Sequence, residues 1–225
     1  MRKNNSFFNT GRFLRIIMAI PVMFLISSLA FGQELLPRQN KETGLFGYVD
    51  AENRFVIAPQ FDYAMRFEGD YAVVSKGNRY GYIDRQGKLV LKTKYYKVGG
   101  YSEGYFRVQE KKGGPWTFLN VEGKRAISAS YLYAGGFHDG MAVFAKHDKK
   151  GKTVYGYIDK RGVVVVKPVY DYAFDFVDGY GKVIRGITEV QPLYGYVDTK
   201  GEAVVPCVYF EEEARWHLVD YKNKK

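Results

Sequence analysis

The sequence predicts an all-β fold, a tandem array of about five three-stranded β-meander repeats, either propeller-like or stacked as a solenoid. Two observations carry this. One phrase returns five times, an aromatic, a glycine, an aromatic, an aliphatic, then Asp or Asn. The copies are Phe46-Gly47-Tyr48-Val49-Asp50, Tyr80-Gly81-Tyr82-Ile83-Asp84, Trp116-Thr117-Phe118-Leu119-Asn120, Tyr155-Gly156-Tyr157-Ile158-Asp159 and Tyr194-Gly195-Tyr196-Val197-Asp198. Their second positions, 47, 81, 117, 156 and 195, lie 34, 36, 39 and 39 residues apart. A period in that range marks one supersecondary unit copied in tandem. The second observation is compositional. Twenty tyrosines and sixteen phenylalanines suit strands, and no helical period of adequate length is seen after residue 32.

The chain opens with a segment that does not belong to the repeats. Arg2, Lys3, Arg12 and Arg15 give a basic start, residues 16–29 are almost purely apolar, and Ala30-Phe31-Gly32 puts small residues before Gln33. This pattern predicts a signal peptide over 1–32, cleaved before Gln33, and a secreted or periplasmic protein. An uncleaved anchor is the competing reading, although the apolar run is shorter than the roughly 20 residues a spanning helix needs. Residues 33–43 read as a short linker. Repeats then follow at about 44–77, 78–113, 114–152, 153–191 and 192–216. The last carries residues 211–225 as a cap, with a solvated Glu211-Glu212-Glu213 edge and a short strand candidate at 217–221. Cys207 is the single cysteine, so no internal disulfide forms, and it reads as a small hydrophobe.

Within a repeat, the fourth copy is the template. Residues 155–159 form a strand, 159–162 a tight turn, 163–166 a second strand ended by Lys167-Pro168, and 180–184 a third. In the turn, Asp84, Asp159 and Asp198 are each followed three places later by Gly87, Gly162 and Gly201. Asp accepts hydrogen bonds from backbone amides two residues on, and glycine takes the positive φ that a bulged hairpin requires. Asn120 with Gly123, and Asp50 with Asn53, are variants of the same turn. These carboxylates are therefore turn formers. The glycine inside the first strand predicts a close approach by a ring or backbone of the neighbouring unit. Both faces of these strands are apolar, which predicts sheets covered on both sides.

Taken together, the aromatic-Gly-Tyr-Ile-Asp opening, the Gly-ended turn, the Pro-x-Tyr-Asp segments at Pro168-Val169-Tyr170-Asp171 and Pro59-Gln60-Phe61-Asp62, and the Phe-x-x-Gly steps at 137–140 and 176–179 resemble the WG-repeat, or KWG-repeat, proteins of bacteria. The resemblance covers residues 44–216, nearly all of the chain after the leader. Only Trp116 keeps the family's tryptophan, and there Thr117 replaces glycine. The resemblance implies a β-repeat scaffold, often exported, with no shared enzymatic activity.

Candidate chemistry is sparse. His138, His147 and His217 fit no zinc spacing, and no nucleophile–base pair, phosphate loop or cofactor motif occurs. Gly99-Gly100, Gly113-Gly114 and Gly135-Gly136 read as turns. Glu68, Glu103, Asp139 and Asp178 recur before glycines and would form a row of like charges, tolerable only with cations alongside. The binding candidates are Lys111, Lys112, Lys146, Lys149, Lys150 and Lys152. They fall in hairpins that tandem geometry places on one face, a basic rim for an anionic polymer. Tyr101, Tyr105, Tyr131 and Tyr133 lie outside the repeat phrase and are candidates for sugar stacking. The expectation is a non-enzymatic, cofactor-free binding or scaffold module of the bacterial envelope, with an envelope protein as partner. The alternative is a carbohydrate- or anionic-glycan-binding protein. Nucleic acid is not expected in that compartment.

Overall fold

Alternating rings and aliphatics around a glycine give each repeat phrase an extended strand, and the computed structural model, which describes residues 34–186 and 191–225, is built from such strands. The leader expected over 1–32 lies outside the described residues. In chain order the elements are β1 (Leu36–Gln39), β2 (Phe46–Val49), β3 (Phe55–Phe61), β4 (Tyr63–Ala64), β5 (Tyr71–Lys76), β6 (Arg79–Asp84), β7 (Leu89–Tyr95), β8 (Lys97–Ser102) and β9 (Tyr105–Gln109). They continue as β10 (Trp116–Leu119), β11 (Tyr133–His138), β12 (Met141–His147), β13 (Thr153–Asp159), β14 (Val164–Tyr170), β15 (Tyr172–Val177), β16 (Tyr180–Arg185), β17 (Leu193–Asp198), β18 (Ala203–Tyr209) and α1 (Glu211–Asn223).

These strands form five antiparallel sheets: β1-β2-β3, β4-β5-β6-β7, β8-β9-β10, β11-β12-β13-β14 and β15-β16-β17-β18. The expected three-stranded unit is thus incomplete. The segment after Pro168 does not end the strand. It continues through Tyr170, and the chain then crosses Asp171 into a further strand that opens the next sheet. Asp62 and Tyr96 are the corresponding one-residue junctions. Each full sheet therefore joins the second half of one sequence repeat to the first half of the next. The first sheet takes its outer strand from 36–39, inside the segment expected to be a linker.

Four clusters make up the core, and each lies between two consecutive sheets. Tyr48, Ile57 and Phe61 meet Val74 and Ile83. Tyr82 and Leu91 meet Phe106 and Val108. Phe118 and Ile127 meet Phe137 and Phe144. Tyr157 and Val166 meet Phe176 and Val183. Successive residues of one strand serve opposite clusters: Tyr82 faces forward and Ile83 backward. This is the two-sided burial expected from the apolar strands.

The turn after each motif strand forms as expected. Asp159 Oδ1 accepts from the N–H groups of Arg161 and Val163, both at 2.9 Å, and Gly162 has φ +81°. Gly162 does a second job. A Cβ there would lie 2.5 Å from Ile127 Cγ2 of the preceding sheet, as one on Gly87 would lie 2.8 Å from Ile57 Cγ2. Asn53, φ +64°, belongs to the first sheet and is exposed, which suits a turn that does without glycine.

The glycine inside the motif strand is required by a different neighbour from the one expected. A Cβ on Gly156 would lie 2.4 Å from Val166 O and 2.8 Å from Pro168 N, and one on Gly47 2.3 Å from Ile57 O. The intruding backbone is the bulge of the next strand in the same sheet, where Tyr155 pairs with Tyr170 but Tyr157 already pairs with Val166. Thr117 is the exception that fits. Opposite it the chain makes only single bridges, Leu119 to Arg125 and Trp116 to Tyr131. The Arg125 guanidinium takes up the carbonyls of Ile127 at 3.0 Å and Ala129 at 3.2 Å that a ladder would have used. The two bridges keep the offsets of the β13–β14 pair, but the Ile127 carbonyl, counterpart of Val166 O, is engaged by Arg125, and here position 117 carries a side chain.

The C-terminal cap is a helix, not the strand expected at 217–221. Glu211, Glu212 and Glu213 form its first turn, where the helix dipole favours acidic groups, and Glu213 Oε2 accepts from the Phe210 N–H at 3.2 Å. The glutamates are exposed, as expected of a solvated edge, but as the start of a helix. Only Ala214 of α1 is buried, so the apolar period is too faint to read. The helix packs on β17 and β18 of the fifth sheet.

Candidate functional site

The row of recurring carboxylates is a structural spine. Glu103, Asp139 and Asp178 sit at positive φ in two-residue hairpins (45°, 52° and 52°) beside Gly104, Gly140 and Gly179. The Glu103 carboxylate accepts from the Gly140 N–H at 3.1 Å, and Asp139 Oδ2 from the Gly179 N–H at 2.8 Å. Each turn is thus tied to its successor. Lys160 lies 2.9 Å from Glu103, and Lys222 of α1 lies 3.7 Å from Asp178, where no further repeat supplies an amide. Glu68 does not belong to this row. Gly69, φ +62°, holds the equivalent place, and Glu68 lies level with Ser102. His138 Nε2 stands 3.5 Å from Asp175 Oδ2.

Motif tyrosines bury their rings and place their hydroxyls on carbonyls in or just after the next sheet's first strand. Tyr48 donates to Met65 O at 2.8 Å, Tyr157 to Phe174 O at 2.7 Å, and Tyr82 to Gly99 O. Burial pushes the Tyr48, Tyr82 and Tyr157 hydroxyls well above the ordinary tyrosine range. At Tyr82 the Arg107 guanidinium opposes that rise and the Glu68 carboxylate adds to it. Phe118 carries no hydroxyl. Arg107, its cross-strand partner, instead donates from Nη1 to Ala134 O at 2.5 Å.

The six lysines of the expected rim are all exposed. Lys111 and Lys112 sit in the β9–β10 hairpin, while Lys146, Lys149, Lys150 and Lys152 occupy the end of β12 and the β12–β13 hairpin. These are equivalent ends of the third and fourth sheets. Asp148 holds the second hairpin by accepting from the N–H groups of Lys150 at 2.8 Å and Lys152 at 2.9 Å. Lys152 is committed to Asp171, whose Oδ2 also accepts from the Gly186 N–H at 2.7 Å. Among the described residues, none of the six lines either cavity described below.

The candidate stacking tyrosines divide. Tyr131 is buried with its hydroxyl unpartnered, Tyr101 and Tyr105 are half-buried and pack on Phe106 and Phe137, and Tyr133 is 42% exposed. Tyr101 also joins four tyrosines that were not stacking candidates in a cleft that sequence reading did not single out. Between the second sheet and β8 lies a cavity of about 450 Å³, lined by Tyr71, Tyr80, Tyr82, Tyr96 and Tyr101, with Ser75, Asn78, Arg66, Glu68 and Lys97 at its polar positions. Gly99-Gly100 and Gly135-Gly136 lie at strand bulges and not in turns. At the first pair, the Arg107 guanidinium fills the place of a Gly99 side chain, and Gly100 faces Glu68, with 3.6 Å between an added Cβ and Oε2. A second cavity of about 620 Å³ lies between the fifth sheet and α1 and includes Phe174, Tyr180, Lys182, Tyr196, Glu211 and Lys222. Gly99-Gly100 falls where two other repeats carry Met65-Arg66 and Phe174-Asp175, but the fourth sheet also has a pair there, Gly135-Gly136, so the signal for the first cleft lay instead in Lys97, where the other sheets place Tyr63, Tyr133 and Tyr172.

Comparison with known proteins gives the architecture a family. The family described as WG containing repeat matches at residues 46–80, 80–113, 155–185 and 194–209. The gap in these matches spans Thr117 and the irregular segment after it. No curated protein matches the chain. Among solved structures, it is similar to a crystal structure described as a protein of unknown function from Bacteroides caccae. That similarity has 14% identity over 78% of this chain and 81% of the other, with a TM-score of 0.30. Repeat phrase, turn chemistry and family match agree, and the chain belongs to the WG-containing-repeat family.

Proposed function

We propose that this protein is an exported, non-catalytic binding module of the bacterial cell envelope, and that its ligand is a glycan held in the tyrosine cleft. The observation that carries the reading is the cleft between the second sheet and β8. Sugars offer apolar C–H faces that stack on rings and hydroxyls that need fixed polar partners. A concave, ring-lined site with a few convergent polar groups supplies both. Export is supported by the basic start and apolar run of residues 1–32. The lysines of the two hairpins add long-range attraction for an acidic polymer, an effect that salt screens. A scaffold for an envelope protein is the second reading, favoured by the hairpin ends that neighbouring sheets present side by side.

A glycan array run with the purified protein at low and high salt tests this. Hits lost on Tyr80→Ala or Tyr96→Ala, and retained at high salt, support the cleft. Hits lost only on charge reversal of Lys149 and Lys150 move the ligand to the rim. Lys152 is left intact because its partner Asp171 anchors Gly186. A blank array together with one stoichiometric polypeptide partner overturns the glycan reading in favour of the scaffold.

A further inference from the structure

We infer that Lys97 makes the cleft selective for an acidic sugar, a saccharide bearing a carboxylate. This rests on the glycan reading above. The comparison comes from the chain itself, because the same register position recurs at each sheet's first strand.

Lys97 pairs with Gln109 as Tyr63 pairs with Ser75, Tyr133 with Ala145 and Tyr172 with Ile184. Three sheets place a ring there, and one places a cation. The ring has a task at two of those interfaces. Tyr63 lies 6.3 Å from Phe46 and Tyr172 lies 5.1 Å from Tyr155, so each covers the first aromatic of the preceding motif strand. Tyr80 is the equivalent aromatic of the second sheet, and among the described residues it has no ring partner. One replacement, lysine for tyrosine at 97, has therefore uncovered this inter-sheet space. Gly100 leaves room beside it, whereas the space at Gly99 is taken by the Arg107 guanidinium, 2.6 Å from where a Cβ would stand. The half-buried ring of Tyr80 and the exposed ammonium of Lys97 now line the same cavity.

The charges in the cleft are arranged unevenly. Lys97 makes no ion pair among the described residues, and its Nζ lies 5.9 Å from the centre of the Tyr96 ring. Arg66 is engaged with Glu34 at 3.6 Å. Glu68, the cleft's own carboxylate, lies against Gly100, where an added Cβ would sit 3.6 Å from its Oε2. Lys97 and Gly100 lie three steps apart along the strand, roughly 10 Å. The cleft thus has a cationic end at Tyr80, Tyr96 and Lys97 and an anionic end at Glu68 and Tyr82. A sugar stacked on Tyr80 and Tyr96 presents its ring substituents to Lys97. A neutral hydroxymethyl gains only an ordinary hydrogen bond from that ammonium, whereas a carboxylate gains a charge-assisted one.

The test is calorimetric titration of trigalacturonic acid and its fully methyl-esterified form, which share a skeleton and differ in charge. The parent protein is expected to prefer the acid about two- to fivefold at low salt, as suits a solvent-exposed ion pair, and to lose the preference at high salt. Lys97→Met is expected to bind both forms as the parent binds the ester. Lys97→Tyr, which restores the covering ring used by its sister sheets, is expected to bind neither and to melt no lower than the parent. Equal binding of acid and ester by the parent, or a preference that survives in Lys97→Met, overturns the role of Lys97 while leaving the glycan reading in place. Binding of neither form by the parent overturns both.

Discussion

Placing a single methyl group on Gly156 should be among the more damaging changes available in this fold. The added Cβ would stand 2.4 Å from Val166 O, 2.8 Å from Pro168 N and 2.9 Å from Pro168 Cα. All three are backbone atoms held in the β13–β14 ladder, so no rotamer change relieves the overlap. Overpacking costs about 1–3 kcal/mol, and backbone contacts at these distances put Gly156→Ala at the upper end. Alanine also restricts the unfolded chain, which offsets about 0.4–1 kcal/mol. The net is about 2–3 kcal/mol of destabilisation. For a chain of this size each kcal/mol moves the midpoint by about 2–4 °C, so a fall of about 5–10 °C is expected. The assay is thermal unfolding followed by circular dichroism, with urea unfolding as a second measure. Thr117→Ala is the matched control, because no ladder stands opposite residue 117, and its midpoint should shift far less. A Gly156→Ala protein that melts with the parent would refute the reasoning, since the bulge could then move aside at no cost.

Other consequences can be checked in the same way. Tyr157→Phe removes a hydroxyl that serves Phe174 O at 2.7 Å and Lys182 O at 3.2 Å, and should cost about 1–2 kcal/mol in urea unfolding. At Asp159 burial pushes the carboxyl up, but the N–H groups of Val163 and Arg161 and the Arg161 guanidinium outweigh it and hold the group below the ordinary carboxylate range. The stability this contributes is present above the unfolded carboxyl's pKa of about 4 and is lost as pH falls through the lower folded value. Acid unfolding of Asp159→Asn, which keeps the turn as Asn120 does, should therefore be less steep than that of the parent. Ending the chain after Phe210 strips α1 from Tyr196 and Lys182 and should increase binding of a hydrophobic dye while lowering the midpoint. An unchanged dye signal would mean that α1 does not shield that face.

Sequence reading recovered what depends on local chemistry. Asp-x-x-Gly turns are set by hydrogen bonds within five residues, and they formed at 84–87, 159–162 and 198–201 with the glycine at positive φ. Two-sided burial followed from the apolar strands. What failed depended on partners distant along the chain or on weak periodicity. Nothing local says that Gly156 faces Val166 O, because a bulge is a property of a strand pair. Leu36–Gln39 became a strand through its partner, with Pro37 at an outer edge that needs no amide donor. The helix escaped notice because it rests on its sheet through little more than Ala214, though three glutamates soon after Pro206 were a usable start signal. The cleft was hidden for a related reason. A cavity arises from side chains that are missing, and Lys97 gains its meaning only beside Tyr63, Tyr133 and Tyr172.

The one-residue junctions at Asp62, Tyr96 and Asp171 determine where such a chain can be cut or lengthened. A sheet runs from junction to junction, out of step with the repeat phrase that the eye finds first. Removing a segment from one motif strand to the next splits two sheets and leaves unpaired strand edges on both fragments, a template for aggregation. Removing a segment from Asp62 through Tyr95 would lift out one complete sheet and bring Tyr96 to the place Asp62 held. The same geometry explains why repeat length varies in the hairpins at 110–115 and 148–152, on the rim: a junction of one residue has no slack, and a hairpin tip has all it needs.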